Sequence, residues 1–275
     1  MSLAEEKTAE QPKKFSLLDP LQNLGATALD FFAGIGSLAR FTSTALYHCV
    51  TPPFYLRLLR RQLIDIGFYC LPVVGMTALF TGMVLALQSY TGFSRFSAEG
   101  AVATVVVLSV TRELAPVLAG LMVAGRIGAS IAAELGTMRV TEQIDALTTL
   151  STNPFKYLVA PRIIAGTIML PALVLVADII GVFGGYLVGV YKLGFGPENY
   201  LHKTWEYLTA EDVNSGLWKA AAFGFIVTLM GCYNGYNSKR GAQGVGAATT
   251  GAVVSASILI LITNYFLTQL FFAGK

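Results

Sequence analysis

The sequence predicts an all-α membrane protein with an N-terminal interfacial amphipathic helix, five transmembrane helices and a short cytoplasmic helix between spans two and three. Of its 275 residues, 54% are hydrophobic and 13% are charged, whereas soluble domains average about 25% charged residues. Residues 66–94 and 241–274 contain no Asp, Glu, Lys or Arg, and residues 163–191 contain only Asp178. Each window exceeds the roughly 20 apolar residues that a membrane-spanning helix needs.

Three regions are predicted along the chain. Residues 1–20 are polar and charged, lack the apolar core of a cleavable signal peptide, and are predicted to be a disordered cytoplasmic tail. Residues 21–62 hold a basic segment and an apolar helix, which Asp30 and Arg40 interrupt, so it suits the membrane interface better than a sixth span. Residues 63–275 form the five-span domain, with spans near residues 67–90, 101–133, 163–191, 217–236 and 247–272.

The positions of Lys and Arg predict how the chain is oriented. The N-terminal region and the loops 134–162 and 237–246 carry most of the basic residues between the spans. Because cytoplasmic loops are enriched in Lys and Arg, these segments are assigned to the cytoplasm. The N-terminus is then cytoplasmic and the C-terminus lies on the opposite side, which agrees with an odd number of spans.

The sequence predicts no catalytic or metal site, no cofactor and no ATP site of its own. The two histidines and three cysteines lie far apart, and no phosphate-binding loop of the G-x-x-x-x-G-K-[ST] type is present. The glycine-rich residues 241–246 follow a membrane helix instead of a strand, which excludes a dinucleotide fingerprint. A net charge of +3 gives no indication of nucleic-acid binding.

Charged residues inside the spans are the main candidates for function, because such residues normally face a partner or a polar cavity. Arg112 and Glu113 are adjacent and therefore point about 100° apart, so at least one faces another helix or a cavity. Pro116 cannot donate to the carbonyl of Arg112, which predicts a kink and a free carbonyl. Asp178 is interpreted as a partner of Arg112 or as a buried neutral acid, and Lys219 as a residue that snorkels to the outer interface. The alternative is that these charges only fix helix packing.

Small residues recur every four positions in two spans. Gly181, Gly185 and Gly189 form a tandem G-x-x-x-G pattern in span three, and Ala247, Gly251 and Ser255 repeat the spacing in span five. Such faces allow close helix packing, either within one chain or across a dimer.

The loop at 134–162 contains a short amphipathic helix. Val140, Ile144, Leu147 and Leu150 recur at helical spacing, and Asn153-Pro154 stops the pattern. Two interpretations stay open: the helix rests on the membrane surface, or it docks into a groove of a cytoplasmic partner.

Residues 112–162 resemble a known family. The segments REL-PV, AGRIGA-IAAELGTM and TEQIDAL, followed by Asn153-Pro154 and Pro161-Arg162, are similar to the MlaE family, and so is the segment from Gly244 to Val254. MlaE proteins are the permease subunits of bacterial ABC transporters that move lipids between the inner and outer membranes. The resemblance extends from about Pro52 to the end of the chain.

The resemblance implies a multi-pass inner-membrane homodimer that transports phospholipid and maintains the lipid asymmetry of the outer membrane. It also implies a cytoplasmic ABC ATPase that binds the ATP, a periplasmic MCE-domain hexamer and, in some systems, a STAS-domain subunit. Carried over by position, the charged residues of the lipid cavity are Arg112, Glu113 and Lys219. The residues of the helix that couples to the ATPase are Glu142, Gln143, Asp145, Ala146 and Leu147. Arg126 and Glu134 belong to the same signature and are assigned a structural role.

Two other functions compete with this one. An ATP-independent transporter would use Asp178 and Glu113 as a proton relay, but the sequence halves show no inverted repeat. A membrane scaffold would only anchor a partner complex, but the intramembrane charges argue against a passive anchor.

Overall fold

The computed structural model describes residues 19–53 and 55–272, except for the side chains of residues 19–28, 30, 31 and 272. Most of the predicted tail at 1–20 therefore lies outside the described residues. Within them, the regular structure is helical and contains no strand. The all-α prediction is confirmed. The chain divides after Ser43 into two units, and the contacts reported below lie within the second.

The described residues form ten α-helices, which are numbered in chain order. Their bounds are α1 Asp19–Val50, α2 Leu56–Phe93, α3 Val102–Ser109, α4 Ala115–Val123, α5 Ala129–Val140, α6 Gln143–Thr149, α7 Ala160–Tyr191, α8 Pro197–Tyr207, α9 Ala210–Tyr236 and α10 Ala242–Phe272. Short π-helical turns at Val110–Leu114 and Ala124–Gly128 join α3, α4 and α5 into one long element. A third π turn, Phe155–Val159, leads into α7.

Five of the described helical elements are long and apolar enough to cross a membrane, as the sequence predicts. They are Leu56–Phe96, Glu99–Val140, Phe155–Tyr191, Ala210–Tyr236 and Ala242–Phe271. The elements are longer than the apolar windows because helices continue into flanking polar residues. The arginines of the basic segment, Arg57, Arg60 and Arg61, thus belong to the first turns of α2. Helix α1 ends at Val50, just before Thr51-Pro52-Pro53, and its place in the interface stays a prediction.

Helix α9 is the centre of the packing. In its most apolar stretch 67% of the residues are buried, against 44% or less in the other spans. Helix α7 packs on both α9 and α2 through glycines. A side chain on Gly224 would overlap the carbonyl oxygen of Gly166, and one on Gly82 would overlap that of Gly181. These close approaches bring the spans near enough for short side chains to meet between them.

The long second span departs from α-helical geometry at its charged residues. In the π turn Val110–Leu114, the amide of Ala115 bonds to the carbonyl of Val110, five residues earlier. Pro116, which follows immediately, lacks the N–H that would bond to the carbonyl of Arg112. The π turn and the proline together leave backbone acceptors beside Arg112 and Glu113, a feature common at functional sites.

Candidate functional site

A group of charged and polar side chains lies where span two meets α9 and α10. We call it the polar cluster, and its members are Arg112, Glu113, Thr209, Asp212, Lys219, Asn264 and Thr268. All of its members except Thr209 lie on helices that are long and apolar enough to cross a membrane. Because polar groups in such surroundings are costly unless they are bonded, each contact within the cluster matters for both folding and function.

Arg112 is bound by the first turn of α9. Its Nε and Nη2 atoms each lie 2.7 Å from Oδ1 of Asp212. The other carboxylate oxygen of Asp212 accepts hydrogen bonds from the amide of Thr209 at 3.0 Å and from its hydroxyl at 2.8 Å. Asp212 therefore caps α9 and pairs with Arg112 at once. Of the two interpretations of Asp178, pairing with Arg112 is wrong, because Arg112 binds Asp212 at the start of α9.

Lys219 is completely buried, so the prediction that it snorkels to the outer interface is wrong. Its ammonium donates to Oε1 of Glu113 at 2.7 Å, to the backbone carbonyl of Arg112 at 3.0 Å and to Oγ1 of Thr268 at 2.8 Å. An ammonium has three donors, and these acceptors occupy all of them. The carbonyl is the one that Pro116 leaves without an amide, so the predicted free acceptor exists and holds Lys219 inside.

Helix α10 completes the shell around Glu113. Asn264 donates from Nδ2 to Oε2 of Glu113 at 3.0 Å, and the Thr268 hydroxyl lies 3.0 Å from Oε1. Sequence reasoning missed both residues. They are four positions apart in a window without charges, and a helix places such residues on one face. That spacing of two polar residues was the available signal.

Close packing of α9 on the π turn makes these bonds reachable. A Cβ atom on Gly216 would lie 2.5 Å from the carbonyl oxygen of Thr111. Gly216 lies between Asp212 and Lys219 on α9, so the absence of its side chain lets both flanking residues reach span two. Asp212 and Lys219 are seven positions apart and therefore share a helix face.

The polar cluster contains two cations and two carboxylates, and its charges balance. Asp212 and Lys219 are its interior members, with side chains 2% and 0% exposed. Arg112 and Glu113 are its outer members, at 35% and 37%. One cation and one anion, consecutive in sequence, are thus partly exposed, and each is paired with a buried group of opposite charge.

Asp178 lies apart from this cluster. Its side chain is buried on α7, and among the described residues neither carboxylate oxygen has a hydrogen-bond partner. Asp178 lines a separate cavity between α7, α8 and the start of α9. The structure therefore does not bring Asp178 and Glu113 together at one site, as a direct relay between them would require.

Arg126 and Glu134, the two residues of the family signature that were assigned a structural role, contact neighbouring helices. Glu134 lies 2.9 Å from Arg162, whose other nitrogen donates to the carbonyl of Leu158 at 2.6 Å. The guanidinium of Arg126 lies over the ring of Tyr69, 6.0 Å from its centroid. These contacts tie spans one, two and three together.

The short helix α6, Gln143–Thr149, is mostly exposed, but Ile144 and an ion pair attach it to the rest of the protein. Ile144 is buried, and Asp145 accepts a 2.7 Å hydrogen bond from Arg139 at the end of α5. Gln143 and Ala146 are exposed, and Leu147 is half-buried. Glu142 precedes α6 with a φ of 58°, so it lies at the turn into the helix and not within it.

The glycines of span three face helices of the same chain. A side chain on Gly181 would meet Val110 and Ala78, and one on Gly185 would meet Val106. A side chain on Gly189 would lie 2.5 Å from the ring of Tyr200 on α8. The tandem pattern thus accommodates span one, span two and an aromatic side chain inside one chain.

Comparison with known proteins identifies close relatives. The family profile "Permease MlaE" matches residues 59–270. A "Probable ABC transporter permease protein" of Rickettsia felis is 62% identical over 256 residues, covering 93% of this chain and 99% of the relative. The "Intermembrane phospholipid transport system permease protein MlaE" of Haemophilus influenzae is 35% identical, covering 91% and 97%. The chloroplastic protein TRIGALACTOSYLDIACYLGLYCEROL 1 of Arabidopsis thaliana is 36% identical over 214 residues, covering 78% and 61%.

Proposed function

Because the chain belongs to the MlaE permease family, we propose that it is the membrane-spanning subunit of an ABC transporter that moves phospholipids between the inner and outer membranes. The observation that carries the proposal is the polar cluster, which exposes one cation and one anion on an otherwise apolar surface. Apolar surface suits acyl chains, whereas a polar solute would need many more polar groups along its path.

The outer members of the cluster match a phospholipid head group. The guanidinium of Arg112 can bind a phosphate oxygen through planar, charge-assisted hydrogen bonds. Glu113 can accept from the ammonium of a zwitterionic head group. Lys219 is too deep to touch the head group itself, so we assign it to holding Glu113 in place.

The remaining parts of the transporter follow from the same proposal. A second copy of the chain covers the apolar face of α10 beside the cluster, where Leu261, Ile262, Tyr265 and Phe266 are exposed. The two copies then enclose the lipid cavity. A cytoplasmic ABC ATPase, with a STAS-domain subunit in some systems, docks at α6. A periplasmic MCE-domain hexamer receives or delivers lipid at the other end, and the cycle maintains outer-membrane asymmetry.

A mechanical path connects the proposed ATPase surface to the cluster. Closure of the ATPase dimer pushes α6, which is bonded to α5 through Arg139 and Asp145. Helix α5 continues through two π turns to Arg112 and Glu113. A π turn interrupts the regular backbone hydrogen bonds of a helix, so the helix can bend there. Movement of α5 along its axis would therefore displace Arg112 and Glu113 at these turns.

The function is tested with the complex purified from its source cells and reconstituted in proteoliposomes. We expect ATP-dependent transfer of a fluorescent phospholipid to acceptor vesicles through the periplasmic subunit. A variant ATPase that cannot hydrolyse ATP is the control. Transfer driven by an ion gradient without ATP would support a secondary transporter, and a complex without any transfer would support a scaffold.

Glu142→Lys is expected to reduce ATPase co-purification by at least about tenfold, because reversing a charge at a docking surface creates repulsion of several kcal/mol. Glu142 is exposed. Glu198→Lys, an equal change at an exposed position of α8 on the opposite end, is the matched control. Equal retention of the ATPase by both variants would remove residue 142 from the coupling surface.

A further inference from the structure

A cavity of about 530 Å³ lies between α7, α8, span two and the start of α9. Its walls are mostly apolar, and its size is within the range of small-molecule sites. Thr111 contributes to it from span two, whereas the adjacent Arg112 and Glu113 bind α9 and α10. The cavity is therefore separate from the polar cluster and from the proposed transport path.

Two buried polar groups on the cavity wall have no hydrogen-bond partner among the described residues. They are both carboxylate oxygens of Asp178 and the hydroxyl of Tyr200, in residues 7% and 3% exposed. Thr111 and Thr204, also on the wall, are bonded to carbonyls of their own helices. Each unbonded buried group costs about 1–3 kcal/mol, so two at one cavity point to a missing ligand.

The cavity opens sideways. Ile179, Phe183 and Trp205 line it and are 70%, 52% and 72% exposed. Ile179 and Phe183 belong to a membrane span, so an apolar exposed rim of this kind faces lipid. A ligand can therefore enter from the bilayer with its apolar part still in contact with acyl chains.

The two polar groups restrict the head group of the ligand. Among the described residues of the wall, Asp178 is the one acidic side chain and none is basic, so a phosphate would meet an acid and no cation. Burial raises the pKa of Tyr200 to about 12, so its phenol keeps a proton to donate. An ammonium offers no acceptor for that proton, whereas an alcohol both donates and accepts.

We propose that this cavity binds a neutral single-chain lipid with a hydroxyl head group, of the monoacylglycerol type, and that Asp178 and Tyr200 hydrogen bond to its hydroxyls. The acyl chain lies along the apolar wall and leaves through the rim. The site is independent of the transported phospholipid, and its occupancy fixes α8 against α7.

The chain contains two tryptophans, which supply a reporter and a matched control. Trp205 is on the rim, and Trp218 on α9 is not part of the wall; they are similarly exposed, at 72% and 68%. Trp218→Phe in phosphatidylcholine nanodiscs leaves Trp205, and a monoacylglycerol with a brominated chain is the quencher. We expect saturable quenching that monoolein reverses. Trp205→Phe, which leaves Trp218, should show only the unsaturable quenching of bulk lipid.

Asp178→Leu and Tyr200→Phe are each expected to weaken monoacylglycerol binding about tenfold, the effect of one lost hydrogen bond. Neither variant should weaken binding of a brominated alkane of the same chain length, which has no hydrogen-bonding group. Asp178→Leu should keep or raise the unfolding temperature, because it removes a buried group that has no hydrogen bond among the described residues. Tyr200→Phe removes only one oxygen atom, so the protein should still fold. Equal, unsaturable quenching of both tryptophans would overturn the site, and saturable binding unchanged in both variants would overturn the assigned head group.

Discussion

Lys219→Met is expected to destabilise the protein by about 3 kcal/mol, the lower end of what removing one member of a buried ion pair costs. The ammonium joins three acceptors from two helices, and methionine leaves all three without it. Among the described residues, Asn264 and Thr268 are then the remaining side chains that donate hydrogen bonds to the charged Glu113. The measurement is the unfolding temperature of the purified protein in one detergent, with transport assayed in parallel.

The matched control is the double variant Glu113→Gln, Lys219→Met. Because it removes the opposing charge as well, we expect it to recover at least half of the lost stability, as replacement of both members of a buried pair is often tolerated. A double variant as unstable as Lys219→Met would mean that Lys219 acts through packing of its aliphatic stem and not through Glu113.

The five spans were predictable because charge-free windows are a direct consequence of bilayer thickness. The start of span four was not found, because a hydropathy window stops at charges. The predicted span four starts near residue 217, so Asp212, seven residues before Lys219, lies outside it. The pattern Thr209-x-x-Asp212 marks the true start, since the structure forms a capping box there. With that start, both charges would have been placed on one face of α9.

Helix α8 illustrates what composition conceals. Its sequence is polar, and only the proline at its first position marks a helix start. Its position depends on Tyr200, which packs against Gly185 and Gly189 of the tandem G-x-x-x-G pattern in α7. The tandem pattern predicted that another helix packs closely on α7, but it could not show that the ring of Tyr200 occupies the space beside Gly189. The sequence offered a buried acid as one interpretation of Asp178, and its burial without a hydrogen-bond partner among the described residues agrees with that interpretation. The cavity around it could not be predicted, because its wall is assembled from four separate elements.

Arg112→Gln is expected to abolish ATP-dependent phospholipid transfer and also to destabilise the protein, since it leaves the buried carboxylate of Asp212 without its cation. These two effects must be separated. The double variant Arg112→Gln, Asp212→Asn removes both charges, while an asparagine oxygen can still cap Thr209 and the two amides can still bond to each other. We expect its unfolding temperature to return close to that of the natural protein.

The rate of phospholipid transfer by the double variant distinguishes phosphate binding by Arg112 from a purely structural role of the Arg112–Asp212 ion pair. If Arg112 binds the phosphate, transfer stays at least about tenfold reduced, because a hydrogen bond to a charged group contributes about 1.5–3 kcal/mol. If the pair only fixes helix packing, transfer recovers together with stability. Arg95→Gln removes an exposed cation outside the polar cluster and should leave both measurements unchanged. The two outcomes can be distinguished because the side chain of Asp212 is buried and can be exchanged for asparagine, whereas part of the Arg112 side chain is exposed and can reach a ligand.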